Sequence, residues 1–330
     1  MIDEINKVLI EVFSASLGYL NNLGKRIHWF YILTSVLLAF YVYVRKKSSK
    51  KINTALDEMT SKSKKSGGFL TYLFKRENYI SKSAFTDYSF LIFNGFVKVL
   101  LFGSLGYWIS NQQNNMNEWL LENVGYRVIK VDISVLLVVY PILLLIIGDL
   151  SYYILHWLYH KIPFLWSFHK VHHSSTAMNP LTQYRIHPIE LILNNFRYAL
   201  VLVLLGGTFN YLIGGIFSQR TIYGVNILLL VFNTWGANLR HSHIKLTYFN
   251  WLENWLISPY QHQIHHSSQK HLYDKNLGSK LAIWDKIFGT LVKSKDVEEL
   301  KVGLGEEDKH YDSFLKNLIR PFVSFFYRSK

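Results

Sequence analysis

Residues Ile133–Leu155 form an apolar run of 23 residues with a single charge, Asp149, and the run leads directly into HWLYH (156–160). A segment this long and apolar is expected to cross a bilayer as a helix, which takes about 20 residues. The histidines beyond this run constrain the chain further. Twelve of the fourteen histidines lie between His156 and His271, and eight fall in three tight clusters, HWLYH (156–160), HKVHH (169–173) and HQIHH (262–266). On a helix, positions i, i+3 and i+4 share a face, so each cluster is expected to aim all its imidazoles one way. Three such faces predict a shared metal centre at a membrane surface.

Other apolar runs support this setting. Ile27–Val44 ends in Arg45-Lys46-Lys47, Tyr88–Ile109 carries Lys98 near its middle, and Tyr198–Phe217 with Thr221–Ala237 reads as a hairpin closed by Ser218-Gln219-Arg220. The expected fold is all-α: a polytopic membrane helical bundle of about four to five spans, with a cytoplasmic helical cap carrying a histidine-rich di-metal site. Hydrophobic residues at 50%, against 18% charged, agree with an integral membrane protein. The N-terminal MIDEINK lacks the basic run and cleavage pattern of a secretory signal, so the first apolar segment is expected to stay as an anchor.

Charge gives the orientation. Between Arg45 and Lys82 there are eleven Lys and Arg against three acids, whereas Asn111–Lys130 holds two of each sign. The first loop is therefore expected inside the cell. Alternating the spans puts His156–His187 and His241–Lys330 on that same face. The net charge of +14 flanks apolar spans, and no nucleic-acid-binding motif accompanies it. A basic face against anionic headgroups accounts for it better than nucleic acid does.

No cysteine is present, which excludes disulfides and thiolate ligands. Imidazole alone does not choose among iron, zinc, copper and nickel. Number narrows the choice, because one zinc takes about three or four protein ligands and eight clustered histidines suit two metals. Carboxylate-rich di-iron sites need Glu-x-x-His pairs that the clusters lack. Asp149 lies two helical turns before His156 on the same face, which would let its carboxylate orient that ring. Asp274 and Asn276 are candidates to support the C-terminal cluster, while Trp284, Asp285 and Gly289 are expected to shape the fold. Arg185 reads either as a lipid-headgroup ligand or as an interfacial residue.

The order of these motifs resembles the integral-membrane fatty acid hydroxylase and sterol desaturase superfamily, whose hallmark is HX3-4H, HX2HH and HX2HH. The resemblance extends to YRIHPIE (184–190), RHSHI (240–244) and YDKNLGSKLAIWDKIFGT (273–290), and covers 149–291. The last stretch is similar to the alkylglycerol monooxygenase-like branch, and the three-residue spacing in HWLYH to the bacterial sterol desaturase branch. The resemblance implies two non-haem iron ions held by His156, His160, His169, His172, His173, His262, His265 and His266, with His241 as a ninth ligand. His187 is a ligand or an outer group, His243 stands where relatives often carry Asn, and His271 is a candidate to support the ligands from outside.

It also implies a membrane-bound oxygenase that hydroxylates or desaturates an unactivated C–H bond of a lipid with dioxygen. Electrons would come from a separate electron-transfer protein or a pterin. Sterol, fatty acyl, ether lipid, carotenoid and aminolipid substrates all stay open. The expected organisation is a membrane-anchor region (1–130), a catalytic domain (131–293) and a charged cytoplasmic tail (294–330). The alternative is a non-catalytic membrane metal protein, a transporter or sensor, which would favour ligands near the bilayer midplane.

Overall fold

Prolines and glycines decide where the apolar runs begin and end as helices. In the computed structural model, residues 24, 26–57, 68–126, 132–215 and 223–327 are described. MIDEINK, residues 58–67 of the basic loop, residues 127–131 and the expected hairpin turn Ser218–Arg220 lie outside the described residues.

The longer helices are α1 (Trp29–Asp57), α2 (Lys82–Phe102), α3 (Leu105–Val124), α4 (Ile133–Lys161), α5 (Pro163–His173), α6 (Pro188–Ile213), α7 (Tyr223–Thr234), α8 (Pro259–His265) and α9 (Phe314–Tyr327). Among the described residues there is no sheet, only the isolated bridges Leu256–Leu281 and Ser267–Val302. Proline occupies the first turn of α5, α6 and α8, where its missing N–H costs nothing and its fixed φ suits a helix start.

Among the described residues, three segments are long and apolar enough to cross a membrane: Arg76–Phe102, Ser134–Lys161 and Pro188–Ile213. Three of the expected four to five passes are thus represented among the described residues, and their boundaries move. The run Tyr88–Ile109 is broken at Gly103-Ser104; α2 starts earlier, at Lys82, so Lys98 lies near its end and sits over the Tyr184 ring at 5.9 Å. The span expected at Tyr198 begins ten residues earlier, at Pro188. Within the span expected over Thr221–Ala237 the described helix is α7, Tyr223–Thr234; residues 216–222 before it lie outside the described residues. α1 continues past Val44 through the basic run to Asp57.

The spans pack through small contacts and one large aromatic pair. Tyr140 and Leu144 of α4 meet Val201, Leu205 and Phe209 of α6, with the Tyr140 and Phe209 rings edge to face at 4.9 Å. Gly206 and Gly207 admit α3: a Cβ at Gly207 would stand 2.8 Å from the Met116 side chain, and Gln113 Nε2 donates to the Leu202 carbonyl. The segment after 293, expected as a charged tail, covers the histidine helix α5. Ser174 Oγ donates to Asn317 Oδ1 at 2.7 Å, and Phe322 meets Phe168 at 5.2 Å.

Arg185 is neither a headgroup ligand nor interfacial. It is buried, and its Nε donates to Asp87 Oδ1 at 2.6 Å, while Asp87 Oδ2 accepts from Thr182 and Asn179. This pair fastens the loop after α5 to α2. Removing one partner of a buried ion pair costs about 3–5 kcal/mol, since the other charge is stranded. Asp87→Ala should therefore lower the unfolding midpoint in detergent markedly, with a stability loss of about 3 kcal/mol; an unchanged midpoint would remove the pair from the framework.

Candidate metal centre

HWLYH occupies the last turns of α4, so the helix that leaves the apolar core carries His156 and His160 on one face. Pro163 then forces a stop. Ile162, the residue before it, is extended at φ −94°, ψ 115°, and α5 folds back to bring HKVHH against HWLYH. HQIHH lies on the seven-residue α8, which is held by a capping box: Ser258 Oγ accepts from the Gln261 amide and Gln261 Oε1 accepts from the Ser258 amide. His241 ends a short 3₁₀ turn, Ala237–His241, which is tied to α8 through Gln263 Nε2 donating to the Leu239 and Ile244 carbonyls.

Nine imidazoles converge in two groups. His156, His160, His169, His173 and His265 form one, and His172, His241, His262 and His266 the other, with the facing donor atoms of each group within 4.8 Å of one another. The HX2HH motifs do not aim all their rings one way, as expected from spacing. α5 gives His169 and His173 to the first group and His172 to the second; α8 gives His265 to the first and His262 and His266 to the second. At about 100° per residue, steps of three and four diverge to opposite sides of a shared face, so one helix can serve two centres. The groups touch, with the His173 and His266 rings 4.6 Å apart.

The donor set fits metal ions by its tautomers. Nδ1 of His156 lies 2.7 Å from the Leu277 carbonyl, and that of His265 3.0 Å from the Lys275 carbonyl. His172 Nδ1 meets the Arg185 carbonyl at 3.1 Å, His160 Nδ1 the Asp274 carboxylate at 3.1 Å, and His169 Nδ1 lies 3.0 Å from Glu190 Oε1. A carbonyl only accepts, so Nδ1 carries the proton and the Nε2 lone pair points inward. The Nε2 atoms of His156 and His169 are nevertheless 3.0 Å apart, and those of His160 and His265 are buried without a hydrogen-bond partner. Two facing lone pairs repel unless a cation joins them. In the second group Nε2 separations are 3.2–3.3 Å; nitrogens sharing one ion at about 2.1 Å stand about 3.0–3.4 Å apart.

Electrostatics agrees. Burial, then neighbouring imidazoles, holds His169, His173, His241, His262, His265 and His266 well below the usual histidine range, and burial takes His172 to about 4. These rings are neutral at pH 7, the form that binds metal. The His160 hydrogen bond lowers Asp274 to about 2, so this carboxylate is ionised beside its imidazole.

One strap, 274–281, supplies partners to three rings of the first group through Asp274, the Lys275 carbonyl and the Leu277 carbonyl. Its path needs left-handed backbone at Asp274 (φ 58°) and Asn276 (φ 52°), which Asp and Asn tolerate best among side-chain-bearing residues. Buried Asp285 accepts from the Leu277 and Gly278 amides, and Asn276 Nδ2 donates to the Gln261 carbonyl of α8. Asp149, expected to orient His156, accepts instead from the Lys280 and Leu281 amides. It acts on the strap that holds His156, not on the ring.

Three further histidines stand outside both groups. His187 caps α6: its Nδ1 accepts from the Ile189 amide and its Nε2 donates to the Leu318 carbonyl. His243 bonds the Tyr72 carbonyl and Asn78, and His271 is exposed. Glu190 is the functional neighbour that motif spacing alone does not single out. Its signal is an acid in the first turn of an otherwise apolar helix, at the end of YRIHPIE.

The model of the family described as fatty acid hydroxylase matches residues 141–290, the stretch that contains all nine converging imidazoles. Over this stretch, under half of the chain, the protein is similar to the fatty acid hydroxylase family. Among individual proteins, the chain is 28% identical to human alkylglycerol monooxygenase over 143 residues, 43% of this chain and 28% of that protein. It is 31% identical to human cholesterol 25-hydroxylase over 148 residues, 44% of this chain and 49% of that one. It is 26% identical to an ornithine lipid hydroxylase of Rhizobium tropici over 179 residues, 54% and 49% of the two chains. The chain thus spans about half or less of the length of these relatives. No solved structure matches it significantly.

The cap on α6 generates a pH effect separable from the metal. Burial lowers His187 to about 4, so as pH falls from 6.5 the unfolded chain takes up a proton that the folded state refuses, and stability is lost toward pH 4. In metal-loaded protein, His187→Asn, which keeps an N-cap acceptor, should reduce the stability loss between pH 7 and pH 5 by about 2 kcal/mol. An identical pH profile in the variant would show that His187 is not held neutral.

Proposed function

We propose that this chain is a membrane-bound non-haem di-iron oxygenase that hydroxylates, or alternatively desaturates, an unactivated C–H bond of a lipid using dioxygen. The observation that carries the reading is the division of nine neutral imidazoles into groups of five and four with their lone pairs turned inward, inside a fatty acid hydroxylase domain. His156, His160, His169, His173 and His265 would hold one ion, and His172, His241, His262 and His266 the other. Two irons, when bound, supply reductive activation of dioxygen and hydrogen removal from the lipid.

The protein's own contribution is positioning. Asp274 and the Arg185, Lys275 and Leu277 carbonyls keep four rings in one tautomer, so ligand geometry precedes loading, and Glu190 lies 3.0 Å from His169 Nδ1. Asn276 and Asp149 keep the strap in place. A cavity of about 280 Å³, walled by His160, His173, His265, Trp166 and Lys170, gives the first group an opening away from the spans. This is the face on which a separate electron-transfer protein, or a pterin, would act.

His156 lies 22 residues beyond the start of the span at Ser134, about 33 Å along the helix, past a hydrocarbon core of about 30 Å. A transporter would favour ligands at mid-depth, so this placement supports the enzyme. The basic first loop supports a cytoplasmic histidine face in a multi-pass chain, read as an anchor region (1–130), a catalytic domain (131–293) and a charged cytoplasmic tail (294–330).

Metal analysis of the purified protein should find about two irons per chain, and His172→Ala should lose metal and activity together. One zinc without iron would overturn the di-iron assignment. Lipid mass spectrometry with and without the gene should show a lipid gaining one oxygen for hydroxylation, or losing two hydrogens for desaturation. Orientation has its own check, because the chain contains no cysteine. An impermeant maleimide should label Glu118→Cys in intact cells and Lys309→Cys only after permeabilisation; the reverse pattern would invert the topology.

A further inference from the structure

A second cavity, of about 310 Å³, opens between α4, α6 and α7, on the side of the molecule facing the spans. One end is apolar, walled by Leu144, Leu145, Leu228 and Leu229. The other end is polar, and along α4 it approaches the first histidine group: Tyr152 lines the cavity and its ring lies 5.4 Å from that of His156. At this end stand Asp149, Arg197 and Lys280.

The charges there do not balance. Asp149 spends its oxygens on the Lys280 and Leu281 amides at 3.1 and 2.9 Å, and Lys280 Nζ stays 3.7 Å away, beyond hydrogen-bond reach. Arg197 donates through Nη1 to the Gly148 carbonyl and Ser151 Oγ, and its guanidinium lies over the Tyr152 and Tyr198 rings. Its Nε is buried without a hydrogen-bond partner, and among the described residues no carboxylate forms an ion pair with it. Arg26 and Arg240 add to the field: burial lowers the Lys280 ammonium, Asp149 opposes the shift, and both arginines and Arg197 reinforce it. Lys280 shares Asp149 with two backbone amides, and a guanidinium such as that of Arg197, left without a carboxylate at membrane depth, is costly unless something anionic completes it. A water-filled surface cleft would not need an apolar half, and a purely apolar lipid would leave the guanidinium stranded.

We propose that this cavity binds the polar end of a lipid bearing an anionic group, a phosphate or a carboxylate, with Arg197 and Lys280 as counter-ions and the chain along the leucine wall. The assignment rests on the lipid-oxidising reading above and names the substrate class for that site. Arg197 and Lys280 are specificity residues; neither belongs to the groups proposed to hold metal.

The test is binding, read separately from turnover. Full-length protein in neutral detergent is titrated with dodecyl phosphate, dodecanol and inorganic phosphate. Dodecyl phosphate should bind about tenfold more tightly than dodecanol, and millimolar inorganic phosphate should not displace it. Arg197→Gln and Lys280→Gln should each remove about tenfold of that preference while leaving dodecanol binding unchanged, and Arg197→Lys should restore part of it. Unchanged melting temperature and metal content establish that the variants are folded. Equal binding of phosphate and alcohol, or unchanged selectivity in both variants, overturns the proposal; displacement by inorganic phosphate overturns the lipid as its source. A protein without iron that still selects the anionic lipid would sink the oxygenase reading alone.

Discussion

Nine imidazoles buried side by side are stable only as neutral rings that agree on which nitrogen carries the proton, and the architecture around them enforces that agreement. Four Nδ1 atoms face an acceptor supplied from elsewhere in the chain: three backbone carbonyls and the Asp274 carboxylate. Each of these acceptors then needs its own support. Asp285 and Asn276 shape the strap, Asp149 pins its far end to α4, and the Asp87–Arg185 pair fixes the loop whose carbonyl serves His172. Most buried polar residues near the centre thus serve one requirement, that lone pairs point at each other across a gap of about 3 Å, as two nitrogens on one ion do.

The sequence is informative where chemistry is carried by side chains at short spacing. The clusters, their helical setting, the all-α class and the strongest span are visible from periodicity and apolar length. The division of HKVHH and HQIHH between two groups is not, because a shared face at i, i+3 and i+4 leaves open which side of a partner each ring meets. Backbone acceptors are also invisible: the Lys275 and Leu277 carbonyls depend on left-handed turns at Asp274 and Asn276, which no single residue type announces. Asp149 stands out as a costly buried acid, but its partners come from residues 280 and 281, more than 130 positions away. A similar separation hides the Asp87–Arg185 pair, whose members are 98 residues apart. Span boundaries shift because proline, not hydropathy, starts α6, and because Gly103-Ser104 interrupts an otherwise continuous apolar run.

The two cavities give the centre two unlike sides. One is polar, edged by Lys170 and Glu307 and closed in part by the segment after 293. The other is leucine-lined and faces the spans. The histidine groups between them thus face a polar opening on one side and an apolar one on the other.

The strap also fixes when the centre can exist. His156 leaves the membrane with α4, yet its Nδ1 acceptor, the Leu277 carbonyl, is 121 residues later in the chain. During synthesis His156 emerges long before the carbonyl that fixes its protonated nitrogen. A chain cut short before residue 277 would therefore keep all nine histidines, and the acceptors at Asp274, Lys275 and Arg185, but lack the carbonyl that faces His156.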